Sequence, residues 1–288
     1  MKAKILPWIE AMRLSVTIPA ALLVHVGAHL AHTDTNWLLA FEIFLIAGLA
    51  MIHNDYYDRE NDIKKGKTFA YEHPQEFRRV LIIGWLVVWI LALTFLLLQY
   101  WVTLLPVIVI SICYSYFRKI IYLQTLCVAL TSASPLIIGH IDDSQKDPMH
   151  LNIIFFFVVL LSIYAREVIK DIEDRNTDKG WKNTPVSKGR EPLHEYIEVA
   201  GSLMCICTMI LVAVFKQISE HASPVASLFL MLAIGCCGGV LSWQNPDFLP
   251  GVPRYRERSD TEVEIDLATG KKWFYGAMFC LIVGLSFV

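Results

Sequence analysis

The chain has 288 residues, of which 55% are hydrophobic and 18% charged, with a mean hydropathy of +0.49. Soluble domains carry charge on about 25% of their residues, so this composition excludes an ordinary soluble domain, and its apolar content excludes a disordered chain. A formal net charge of −2 supplies no basic field for nucleic acid, so no nucleic-acid partner is expected and any polyanion has to be met by a local constellation.

Apolar runs able to cross a hydrocarbon core, which takes about 20 helical residues, fall near 14–31, 36–53, 79–99, 101–117, 120–140, 149–169, 194–215, 224–243 and 272–288. The expectation is an all-α, multi-pass membrane bundle of nine transmembrane helices. With the N-terminus in the cytoplasm, every lysine and arginine except Lys146 and Lys216 falls on the cytoplasmic side, as the positive-inside rule requires. An even number of spans scrambles that partition. The first run follows Lys2, Lys4 and Arg13 like a signal peptide, but it ends in HTDTN without a small-residue cleavage site and reads as retained. All seven cysteines lie in apolar runs without metal-ligand spacing and read as small buried hydrophobes.

The two longest cytoplasmic connections, about 54–78 and 170–193, are also where acidic residues crowd. Loops of that length inside a bundle are usually functional. In NDYYDRENDIKKGK, Asp55, Asp58 and Asp62 stand at i, i+3 and i+7; in REVIKDIEDRNTDKG, Asp171, Asp174 and Asp178 repeat that spacing. Each set falls on one helical face, with Asn54 and Lys170 flanking, Glu167 joining the second face, and Glu60 and Glu173 pointing away. Like charges on one face repel, and an aspartate within a membrane helix costs about 2.5–3.5 kcal/mol, so something must compensate. Oxygen-rich faces of this kind suit a hard divalent cation such as Mg2+, which takes one or two carboxylates, keeps waters and shares its shell with substrate phosphates. The competing reading is a pair of solvated helix ends paired with Lys64, Lys65, Arg175 and Lys179. One spacing on two separate spans favours a metal–diphosphate site.

NDYYDREND resembles the first aspartate-rich motif, NDxxDxxxD, of the UbiA superfamily of intramembrane prenyltransferases, and KDIEDRNTD resembles the second. The nine-span layout, with motifs at the cytoplasmic ends of spans two and six, is similar to that family over essentially the whole chain, and implies a single membrane domain over 1–288. REVIKDIED is closest to the form in members that prenylate a glycerol-phosphate lipid precursor, and NTPVSKG resembles the family's TLPV..G loop. CYSYFRK looks like the YS…K stretch, which carries Tyr114, Ser115 and Lys119 into the pocket; Arg13 matches a first-span arginine. The usual NKPxRPxxxG stretch after the first motif is replaced by KKGKTFAYEHPQEFRR, leaving Lys64, Lys65, Lys67, Arg78 and Arg79 as alternative clamps on the diphosphate. Leu14 stands where a proline commonly follows the arginine.

The resemblance implies an Mg2+-dependent transferase that moves an isoprenyl group from an allylic diphosphate to a lipophilic acceptor, a glycerol-phosphate lipid precursor or an aromatic quinone precursor. Asn54, Asp55, Asp58, Asp62, Asp171, Asp174 and Asp178 would hold metal, Asp62 and Asp178 directly or through water. Lys119 and Lys170 would stabilise the leaving diphosphate, with Tyr114 at the reacting centre and Arg13, Asn54, Ser115 and Lys67 binding substrate, all on the cytoplasmic side. Trp8, Tyr57, Tyr114, Tyr116 and Tyr164 are candidates to steady a carbocation. A membrane terpene cyclase shares this architecture. A cation or phosphate transporter is a third reading, although transporter sites lie near the midplane at broken helices. His25, His29 and His32 share one face, where an interfacial polar stripe outweighs a zinc site. GCCGG at 235–239 reads as close helix packing and the acidic stretches 142–147 and 257–266 as solvated loops.

Overall fold

The computed structural model of the protein describes residues 2–96, 101–120, 122–140, 150–178, 181, 183, 193–219, 224–225, 227–234 and 275–285. Among them every regular element is helical. The chain forms two compact units, Met1–Asn152 and Ile153–Val288.

In the first unit, α1 (Lys2–Met12) and α2 (Leu14–Leu30) meet at Arg13, where the chain turns by 55°. Asn36 then caps α3 (Trp37–Asp62), its side chain accepting from the Leu39 amide at 3.1 Å. A 3-10 turn, Ile63–Lys65, follows and ends at Gly66, whose φ of 76° is left-handed. There the Lys67 amide reaches back to the Asp62 carbonyl at 3.0 Å. Glycine is the residue that adopts this conformation without penalty, so it sets the end of the acidic helix. After the single turn α4 (Phe69–Glu72) come α5 (Pro74–Leu96), α6 (Trp101–Cys113), a 3-10 stretch Tyr114–Lys119, α7 (Leu123–Ala133) and α8 (Pro135–His140). Pro135 has no amide to donate, and the Ser134 and Thr131 hydroxyls occupy carbonyls of the preceding turn at 3.0 Å and 2.9 Å. That keeps backbone groups satisfied across the break, as a lipid environment requires.

The core of this unit joins Val24, Leu39, Ile43, Ile46, Val88, Ile108 and Ile138 from five helices, while Ile82, Ile83, Leu86, Ile90 and Leu93 line an exposed face of α5 suited to lipid. Small residues bring α2 and α8 together: Gly27 lies against the Leu136 carbonyl and Gly139 against that of Val24. Asn152, at the end of the unit, donates to the Gly27 carbonyl at 3.0 Å.

In the second unit, α9 (His150–Glu173), which starts in the last residues of the first, leads into α10 (Arg175–Asp178); α11 (Leu193–Ser219) packs on α9 through Cys207, 3.4 Å from the Ser162 hydroxyl. Ala200, Met204, Cys207 and Leu211 are buried and Val199, Ile206, Met209 and Val212 exposed, the division expected of a helix with one side to protein and one to lipid.

Trp37–Lys65, Pro74–Thr94, Leu123–His140 and Leu151–Glu173 are each long and apolar enough to cross a membrane, and the bent pair α1–α2 is a fifth candidate. Thr103–Phe117, Val199–Val214 and Tyr275–Leu285 are shorter apolar helices on predicted runs. α3 runs nine residues past its apolar stretch, through the acidic face expected to be helical; Arg59 bonds to the Tyr56 carbonyl there and Arg13, between α1 and α2, pairs with Asp55. One sequence expectation changes. Cys205 is exposed rather than buried, as it sits on the outward side of α11. The stretches 142–147, 235–239 and 257–266 lie outside the described residues.

Glu42 is fully buried in α3, and among the described residues neither of its carboxyl oxygens has a hydrogen-bond partner. A polar group buried without a partner costs about 1–3 kcal/mol. Glu42→Leu, of similar volume, is expected to raise the thermal unfolding temperature of the detergent-solubilised chain; a lower one would assign the carboxyl a stabilising partner.

Candidate active site

The last two turns of α3 present the first acidic face. Asp58 and Asp62 are buried, at 6% and 7% exposure, and Asp55 is partly so. Arg13 Nη2 donates to Asp55 Oδ1 at 2.5 Å across 42 residues of chain. Lys67 Nζ stands 4.0 Å from Asp62 Oδ2, which places this lysine, one of several loop bases expected to serve the site, beside the face. Arg59 donates to the Tyr56 carbonyl at 2.8 Å, lies over the Tyr56 ring and pairs with exposed Glu60, so that both charges turn away from the aspartates as the helical geometry predicts. Asn54 stands beside Asp55, half-buried; Lys64, Arg78 and Arg79 are exposed.

An aromatic patch adjoins this face. Tyr57 meets Tyr116 edge-on at 4.6 Å, and His53, one turn before Tyr57, contacts both rings. The i, i+4 spacing of His53 and Tyr57 was the signal for this patch, and sequence reasoning passed over the histidine. The Tyr114 hydroxyl donates to the Ala50 carbonyl at 2.9 Å, tying the 3-10 stretch to α3, and Ser115 beside it is buried. The side chain of Lys119 lies outside the described residues.

The second face lies in the other unit. α9 breaks at Asp174, yet the Asp174 and Asp178 amides still reach carbonyls four residues back, at 2.9 Å each, and the Thr177 hydroxyl caps the Asp174 carbonyl. Helical phase is thus kept through the break, and Asp171, Asp174 and Asp178 retain one face, with Asp178 buried and Glu173 exposed. Buried Glu167 pairs with Arg166 and, at 3.8 Å, with Lys170. Arg166 also donates to the Tyr275 hydroxyl at 3.0 Å, joining α9 to the last described helix. No periodic pattern marks Arg166, whose partners are a chain neighbour and a residue 109 positions away.

Among the described residues no three His, Cys, Asp or Glu side chains converge as a ready-made metal cage, at the aspartate faces or at the histidine stripe. His25 instead contacts the Thr35 hydroxyl at 2.6 Å and stacks on His29 and Trp37. Carboxylates spaced along a helix face, buried at one edge and flanked by cations, suit Mg2+, which draws most of its shell from water and phosphate oxygens. They would suit a closed zinc site poorly.

The model of the UbiA prenyltransferase family matches residues 14–247. A digeranylgeranylglyceryl phosphate synthase from Methanosphaera stadtmanae is 29% identical over 190 residues, a match covering 60% of this chain and 65% of that relative. The solved structure of a UbiA homologue from Aeropyrum pernix K1 has a TM-score of 0.69 at 14% identity and covers 94% of this chain and 97% of its own. That of a UbiA homologue from Archaeoglobus fulgidus, bound to DMAPP and Mg2+, has a TM-score of 0.61 at 16% identity, covering 96% and 98%. With the family model matched over most of its length and the helical fold shared, the chain belongs to the UbiA prenyltransferase family.

Proposed function

We propose that the protein is an Mg2+-dependent intramembrane prenyltransferase, one membrane domain of nine spans with a cytoplasmic N-terminus, whose two aspartate faces serve one allylic diphosphate on the cytoplasmic side. The repetition of i, i+3, i+7 carboxylates on α3 and on α9–α10, with Asp58, Asp62 and Asp178 buried, carries this reading. Like charges held on one face repel, and a divalent cation shared with diphosphate oxygens would offset that repulsion.

In this reading Asn54, Asp55, Asp58, Asp171 and Asp174 hold the metal, with Asp62 and Asp178 acting directly or through water. Bound Mg2+ supplies positive charge to the diphosphate oxygens. Arg13, Lys67, Lys119 and Lys170 add charge where it develops on the leaving diphosphate, the electrostatic term that usually dominates such reactions. The allylic C–O bond breaks, its electron pair leaves with the diphosphate, the acceptor supplies the new bond to carbon, and a proton departs. Tyr57, Tyr116 and His53 form an aromatic wall that keeps water from the carbocation, and Tyr114, tied to α3, holds that wall in register.

The acceptor is proposed to be a glycerol-phosphate lipid precursor, supported by the REVIKDIED form of the second motif and by the name of the M. stadtmanae relative. The test supplies purified protein and Mg2+ with geranylgeranyl diphosphate alone, then with geranylgeranylglyceryl phosphate or an aromatic acid. Pyrophosphate release that depends on the glycerol phosphate, with an ether product, is expected. Hydrocarbon formed without an acceptor would make the protein a cyclase, and turnover with the aromatic acid alone would replace the acceptor assigned here.

A further inference from the structure

Arg13 is the one described residue between α1 and α2, and its backbone is left-handed, at φ 51° and ψ 66°. That conformation costs a side-chain-bearing residue roughly 1–2 kcal/mol and persists only where the surroundings impose it. They do so here through Trp8 and Met12 of α1, packed with Ile52 of α3 and with Phe77 and Leu81 of α5. Met12 also contacts α3 at Gly48. The turn delivers the guanidinium to Asp55 Oδ1, with both side chains largely withdrawn from solvent, at 25% and 15% exposure.

A guanidinium in contact with Asp55 has a consequence for a cation that uses the same carboxylate. It satisfies one oxygen and neutralises most of the charge, and a divalent cation brought to Asp55 is repelled by a positive charge a few ångströms away. A diphosphate changes this balance. Guanidinium is the side chain best matched to phosphate oxygens, with five donors in a planar fork. Once phosphate oxygens lie within reach, Arg13 can move its hydrogen bonds to them and leave Asp55 to the metal.

We propose that Arg13 is a resident counter-cation of the first aspartate face, competing with the divalent metal for Asp55 and released to the diphosphate, so that metal and diphosphate bind together and metal alone binds weakly. This rests on the metal–diphosphate reading of the site and adds the order in which it fills. Coupling of this kind is reciprocal, so the factor by which diphosphate tightens metal binding equals the factor by which metal tightens diphosphate binding.

Mn2+ binding to the full-length protein in detergent, followed by electron paramagnetic resonance with and without inorganic pyrophosphate and corrected for the Mn2+–pyrophosphate complex in solution, provides the test. The variants are Arg13→Gly and Arg13→Asn, since both residues adopt the left-handed conformation readily and preserve the turn while removing the charge. Metal-alone affinity is expected to rise about tenfold in both, and the enhancement by pyrophosphate to fall by about the same factor, within the usual range of coupling between sites. Arg13→Lys, which keeps the charge, should retain weak binding of metal alone. Unchanged or weaker metal-alone affinity in the Gly and Asn variants, even with loss of pyrophosphate enhancement, would make Arg13 a plain diphosphate ligand and overturn the exchange. Failure of the unaltered protein to bind Mn2+ under either condition would instead overturn the metal–diphosphate reading, and the exchange with it.

Discussion

Asp58→Ala and Asp174→Ala are each expected to lower pyrophosphate release from an allylic diphosphate by at least about a hundredfold, the scale seen when a group aimed at developing charge is removed. The reason for choosing these residues is that stability should move the other way. Asp58 shares its face with Asp55 and Asp62, and Asp174 shares one with Asp171 and Asp178, so deleting either relieves repulsion among like charges. Thermal unfolding of the variants in detergent should therefore match or exceed that of the unaltered protein. If the aspartates merely tied helix ends together through ion pairs, activity and unfolding temperature would fall together. Retained turnover in both variants would remove the faces from the reaction altogether.

Gly27→Val is expected to abolish accumulation of folded protein in the membrane. A Cβ at Gly27 would press into the backbone carbonyl of Leu136, and one at Gly139 into that of Val24, so the strain falls on two helix backbones that cannot rotate away as side chains do. Overpacking of a well-packed site typically costs 1–3 kcal/mol, and a backbone-on-backbone clash lies at or above the top of that range. The shift would also displace the Gly27 carbonyl from Asn152. Gly84→Ala is the control, since a Cβ there meets only the Leu49 side chain, which can change rotamer. Membrane yield and unfolding temperature distinguish the two. Equal tolerance of Gly27→Val and Gly84→Ala would show that α2 and α8 do not need close contact.

The helical class, the predicted apolar runs within the described residues and the two acidic faces were legible because each is a periodic signal: long apolar stretches, and carboxylates at i, i+3 and i+7. How the end of α3 is held was not. Its last turns are polar, and they stay helical because Arg59 bonds to the Tyr56 carbonyl, Arg13 reaches Asp55 and Gly66 supplies the terminal turn. Family resemblance, rather than pattern, singled out Arg13, and nothing local announces its left-handed backbone, since neither glycine nor asparagine stands there. The helix α1 was missed for a similar reason: Lys4, Pro7 and Glu10 interrupt any apolar run, and the segment is held by packing of Trp8 against Phe77. Cys205 illustrates the limit of composition, because an apolar neighbourhood in the sequence does not say whether a helix face meets protein or lipid.

α3 carries its apolar stretch and its carboxylates on one continuous rod. From Trp37 to Ile52 that rod rises only about 24 Å, short of a typical hydrocarbon thickness of about 30 Å. The helix reaches a spanning length only with the turns that carry the aspartates, so a thicker hydrocarbon core would draw them inward, at a cost of fractions of a kcal/mol per Å of mismatch. Acyl-chain length thus becomes a setting on how deep the carboxylates sit.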